Sequence, residues 1–108
     1  MKPKPENFVK IANLKFPINM VERPVRGADA INGKIDWVDV SITLDKNLPP
    51  AITLETFLHE VVHGIDKQYG ICDFTEEQTN RLAVGLAQVL VDNPETMMRF
   101  LNPCIEGD

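Results

Sequence analysis

This chain of 108 residues has little sulfur and few imidazoles or large aromatic rings: two cysteines, two histidines, one tryptophan and one tyrosine. Two cysteines make no disulfide framework, and a reducing compartment is expected to leave Cys72 and Cys104 as free thiols. Long apolar runs are missing as well. "ITLETFL" and "RLAVGLAQVLV" are interrupted or far shorter than the roughly 20 residues a bilayer crossing needs, so no membrane-spanning segment is expected. The first residues, "MKPKPENFVKIANLKF", carry positive charge but no continuous apolar core leading to a small-residue cleavage site. No secretory signal is therefore read, and a cytoplasmic setting is the default. There is no low-complexity tract and no solenoid repeat, and the length leaves no room for a second core. One domain over residues 1–108 is expected, with residues 1–7, broken by Pro3 and Pro5, as a loose lead-in.

Basic residues are scarce where a nucleic-acid reader would need them. Residues 27–108 hold five Lys/Arg against fourteen acids, whereas residues 1–26 hold six against two, for a net charge of −5. An acidic body disfavours DNA or RNA as partner. The basic leader reads as a solubilising segment lying against that body.

The pattern along the chain places strands first and helices after. "FVKIANLKFPINMVER" alternates partially through Ile11, Leu14, Phe16, Ile18 and Met20, as a strand or bent pair of strands would, with Pro17 at a bulge or edge. "RGADAINGK" carries an Asn-Gly turn signal, since both residues tolerate positive φ. "KIDWVDVSITLD" alternates as a half-buried strand or hairpin, and "NLPP" closes the β region. A helix is then expected from an N-cap at Thr53, with Leu54, Phe57, Leu58, Val61, Val62 and Ile65 at helical spacing and Gly70 as its stop. Thr75 and Gln78 form a capping-box pair for a second helix reaching about Asp92. A short third helix follows Asn93 with Pro94 at its first position, "NPETMMRFL". The expected class is α+β: a small antiparallel or mixed N-terminal sheet with helices on one face.

Both histidines lie in "LHEVVHGID". Four residues apart on a helix they share a face, so His59 and His63 can aim two nitrogens at one ion. Glu60 points about 100° around the helix from His59, too far to ligate easily but able to lean over a water at that ion as general base. The uncharged flanks, "TFLHEVVHGI", are those such a motif needs. Catalytic zinc takes three protein ligands and keeps one position open. Asp66 is about 10.5 Å beyond His59 along the axis, out of ligand range, and reads either as an acceptor for an imidazole N–H or as a solvated charge. On the second helix the apolar face reads Thr79, Leu82, Ala83, Leu86 and Leu90, with Glu76 at its edge and Glu77 opposite it with Arg81 and Gln88. Glu76 is thus the candidate third ligand, against the alternative that both acids only complement the helix dipole. Cys72 is a weaker candidate for the same place.

These residues resemble the gluzincin arrangement of zinc metallopeptidases, in which an HExxH helix is followed by a glutamate ligand on the next helix. "LHEVVHGIDKQYGI" and "TEEQTNRLAVGLAQVLVDNP" look like small phage and prophage metallopeptidases, similar in outline to minigluzincins and distantly to ImmA/IrrE-type peptidases. The resemblance spans roughly residues 31 to 101. It implies a zincin-like domain in a bacterial or phage-infected host cell, holding Zn2+ through His59, His63 and Glu76. It further implies cleavage of a peptide or protein substrate by a zinc-bound water that Glu60 activates. The strand near Val40 to Leu44 would then be the edge strand that holds the substrate backbone. Tyr69 reads as an oxyanion donor or as packing at a helix end. One departure stands: the ImmA/IrrE pattern, which sets its ligand glutamate before Ala-Asn, aligns that glutamate with Gln78 before Thr79-Asn80. A glutamine is a poor ligand, so the register through Glu76 is preferred. The competing reading is a weak or inactive metal-binding or partner-binding module of phage or prophage origin.

Overall fold

The computed structural model describes residues 7–106, so the loose lead-in expected over residues 1–7 lies outside the described residues except for Asn7. Alternating apolar positions give two strands at once: β1 (Phe8–Ile11) turns at residues 12–13 into β2 (Leu14–Val21). Pro17 lies on β2 where partners change hands. The Ile18 N–H donates to the Asn7 carbonyl, so the Phe8 to Pro17 rung beside it is a non-hydrogen-bonded one, and pairing to β6 starts only at Ile18; the missing N–H therefore removes no bond. A two-stranded hairpin follows, β3 (Val25–Arg26) and β4 (Asp29–Ala30), turning through Gly27 at φ 63. The turn read in "RGADAINGK" is therefore made at Gly27-Ala28 and not at its Asn32-Gly33 pair. Gly33 instead opens β5 (Gly33–Asp36), where a Cβ would stand 2.8 Å from Thr56 Cγ2 and 3.0 Å from the Thr43 carbonyl oxygen. It is small because a helix and a strand crowd it. β6 (Ser41–Asp45) completes the hairpin with β5 after a turn in which the Asp36 carboxylate accepts the N–H groups of Val38 and Asp39.

The four-stranded sheet runs β1-β2-β6-β5, with β2 and β6 parallel and the other pairs antiparallel. β6, expected as the edge, is interior. Among the described residues β5 is the end strand beside it, because the hairpin folds back so that β6 inserts beside β2. Ile11, Phe16, Ile42 and Leu44 bury on one face, with the Trp37 ring edge-on to Phe16 at 5.4 Å. These side chains are one half of the core; the helix across them supplies the other.

That helix is α1 (Pro50–Tyr69). It starts four residues earlier than expected, because Pro50 has the fixed φ that a first helical residue needs, and Thr53 hydrogen-bonds back to the Leu48 and Pro49 carbonyls instead of capping. Gly70 ends it in the left-handed region, as expected. α2 (Glu76–Asp92) begins with the Thr75–Gln78 capping box. It turns Thr79, Ala83 and Ala87 to α1, while Leu82 and Leu86 stay exposed. The expected leucine face is thus rotated, since small residues let two helix backbones approach more closely. α3 (Pro94–Glu106) runs well past the short helix expected and takes Pro103 inside its last turns. Among the described residues, α1 alone lies on the sheet, α2 packs on α1, and α3 touches only α2.

Candidate metal centre

The capping box and a clamp on the preceding loop decide where α2 points its first residue. The Asp66 carboxylate accepts the backbone N–H groups of Cys72 at 3.0 Å, Asp73 at 3.1 Å and Phe74 at 2.6 Å. These bonds hold its pKa below the ordinary carboxylate value, the Cys72 N–H contributing most and partial burial opposing them. Asp66 was expected to hold an imidazole N–H or to be a solvated charge; among the described residues its hydrogen bonds go to this loop. The clamp folds residues 71–75 tightly against the end of α1, and α2 starts beside the turn of α1 that carries His63.

Glu76 then meets both histidines. Its Oε1 lies 2.6 Å from His63 Nε2 and its Oε2 lies 3.1 Å from His59 Nε2, while the two Nε2 atoms are 3.1 Å apart. One ligand atom from each of the three residues falls within 4.8 Å of the others, the arrangement of a metal site among the described residues. Glu77 pairs with Arg81 at 2.6 Å on the outer surface, and Gln78 is occupied by the capping box. Neither is brought to the histidines.

The donor chemistry of these three residues calls for a cation. Each Nε2 carries at most one proton. If both are protonated, each donates to Glu76 but the two N–H groups face each other across 3.1 Å. If only one is protonated, the other nitrogen's lone pair opposes a carboxylate oxygen. With neutral rings and an ionised carboxylate, no placement of protons makes all three contacts favourable. A cation between them does, because three lone pairs then converge on one positive charge. Tetrahedral ligands at about 2.0–2.1 Å from zinc stand roughly 3.3 Å from one another, near the separations seen here. The residues present fit the ion.

Glu60 lies one position along α1 from His59 on the side facing the sheet, and only 5% of it is exposed. Desolvation by this burial pushes its pKa up, and the nearby Glu76 charge adds to that. His59, Arg26 and the Ile35 backbone N–H pull the other way. Two open cavities flank the centre and Glu60 lines both. One, of about 740 Å³, runs from His63 and Glu76 to Trp37, Lys67 and Arg26; the other, of about 520 Å³, runs from His59 to Gly33, Ile52 and Asn80. Tyr69 is exposed at the end of α1 and lines neither cavity, so it is not brought to the site. Cys72 lines the larger cavity but is not among the converging ligand atoms. Both cysteines are free and exposed. Arg26 escaped the sequence reading. It stands on the separate β3–β4 hairpin, and no spacing links it to the histidines.

Comparison with known proteins finds no family model, no curated protein and no solved structure that matches this chain. What stands is a His-His-Glu constellation able to hold a metal ion, its histidines on the HExxH helix α1 and its glutamate at the start of α2, in an α+β fold. Among the described residues no helix is long and apolar enough to cross a membrane.

Proposed function

We propose that this chain is a zinc-dependent peptidase of minimal zincin type, with His59, His63 and Glu76 holding the ion and Glu60 as general base. The observation that carries the reading is the convergence of these three side chains with a buried carboxylate beside them and open space on either side. A zinc ion held there supplies Lewis acidity, which acidifies water and polarises a carbonyl.

The chain's own residues do the rest. Glu60 takes the proton of the attacking water and returns it to the leaving amine. Its carboxylate is held in place by the Ile35 N–H and by its own burial. A peptide backbone is the substrate that suits this surface, because among the described residues β5 ends the sheet, and with the Ile35 N–H given to Glu60 it still presents the Gly33 N–H and the Gly33 and Ile35 carbonyls beside that carboxylate. Asp45 N–H bonds the Asn32 carbonyl, so alternate rungs point inward and the backbone groups of Gly33 and Ile35 point outward. Such a segment would lie across the centre with a cavity at each end, as internal cleavage of an extended chain requires.

The test is Glu60→Gln. It should keep the bound metal while slowing hydrolysis of a peptide library by about 10²- to 10⁴-fold, the usual contribution of a general base. Wild-type protein that binds zinc and cleaves no peptide would instead favour the binding-module reading.

A further inference from the structure

Because α2 turns its small residues inward, Leu82, Leu86 and Val89 remain exposed on its flank. α3 is barer still. At 100° per residue, Met97, Phe100, Leu101, Cys104 and Ile105 fall within an arc of about 140°, opposite Glu95, Arg99 and Asn102. Phe100 is 67% exposed, Leu101 48% and Ile105 71%. Isolated helices shorter than about 12–15 residues are marginal in water even when rich in alanine. The 13 residues of α3 include Asn102 and Pro103, the latter removing an internal N–H bond. A helix of this composition needs its apolar arc covered.

We infer that a second copy of this chain covers it, the α2–α3 arms of two copies packing together about a two-fold axis. The area is adequate. Leu82, Leu86, Val89, Phe100, Leu101 and Ile105, at their exposures, offer on the order of 600 Å² of apolar surface. That is enough for the non-polar part of an interface of about 800 Å² per partner. The charge pattern selects the same occupant. The apolar arc carries no charged side chain, so two copies of a molecule with net charge −5 can bring it together without opposing like charges. A membrane surface fits less well. The polar side of α3 has one arginine against Glu95 where an interfacial helix carries several cations, and anionic lipid would repel the acidic body. Two identical apolar arms also meet the self-complementarity that a two-fold contact demands.

Sedimentation equilibrium of the full chain from micromolar concentration upward is the test. The expected mass is twice 12.1 kDa, returning to 12.1 kDa in the Phe100→Glu/Ile105→Glu variant with at least a ~100-fold weaker self-association. Trp37, packed on Phe16 far along the chain from α3, should keep its fluorescence in that variant, which shows that the body still folds. Amide exchange should show α3 protected in the dimer and open in the variant. A wild-type chain that sediments as a monomer throughout overturns the inference and leaves the arc to a different protein. Self-association unchanged by the double substitution overturns it equally.

Discussion

Glu76 reaches the histidines because Asp66, on another helix and ten residues earlier, fixes where α2 begins. The sign of its pH dependence follows from its lowered pKa. The folded state favours the ionised form more than the unfolded chain does, so Asp66 stabilises the fold above the ordinary carboxylate value of about 4. That contribution is lost as pH falls through the lower, folded value. Asp36, with two backbone N–H donors, acts with the same sign, so wild-type acid sensitivity alone does not isolate Asp66. Asp66→Asn should melt lower than wild type at neutral pH, and the gap in melting temperature should close below about pH 4. A gap that stays constant down to pH 3 would contradict the clamp. Thr79 makes the opposite case. Its hydroxyl is buried between α1 and α2 and has no hydrogen-bond partner among the described residues. Thr79→Val keeps the shape and removes the unsatisfied group, so denaturant unfolding should show a gain of about 1–2 kcal/mol. A loss would mean that the hydroxyl is satisfied by something else, such as an ordered water.

At the scale of elements, the site is a helix, the start of its neighbour and a strand edge held at fixed distances. Gly33 sets the distance between β5 and α1. Gly33→Ala would place a methyl carbon against Thr56, Leu44 and the Thr43 carbonyl. Unfolding free energy should fall by about 1–3 kcal/mol, the usual cost of overpacking, as read from a urea titration. No loss would show that β5 moves away freely. Much of this level was legible in the sequence because its signals are local. The capping box at Thr75, the stop at Gly70 and the HExxH spacing each depend on residues within a turn or two. What was misread depends on partners distant in sequence. β6 alternates as well as any edge strand would, and only its parallel pairing with β2 makes it interior. The leucines of α2 outweigh its alanines in an apolar count, yet close helix approach selects the alanines. Glu76 was legible through helix phase, and the rotated face brings its carboxylate to both histidines while the side chain stays largely exposed. Arg26 was not legible, since a two-stranded hairpin brings it to the cavity from outside the motif.

For the whole molecule, the sheet and α1 make a rigid half-core, α2 closes one side of the centre, and the groove stays open on both flanks. The proposed function rests on α1 and α2 holding a metal ion together through His59, His63 and Glu76. Zinc titration by calorimetry, on metal-free wild type beside Glu76→Gln and Glu77→Gln, tests that most directly. One zinc per chain is expected, with affinity unchanged in Glu77→Gln and at least ~100-fold weaker in Glu76→Gln, since second-sphere changes alone cost about 10- to 100-fold. Absence of stoichiometric zinc binding in wild type, or loss of binding in Glu77→Gln with Glu76→Gln intact, would contradict it.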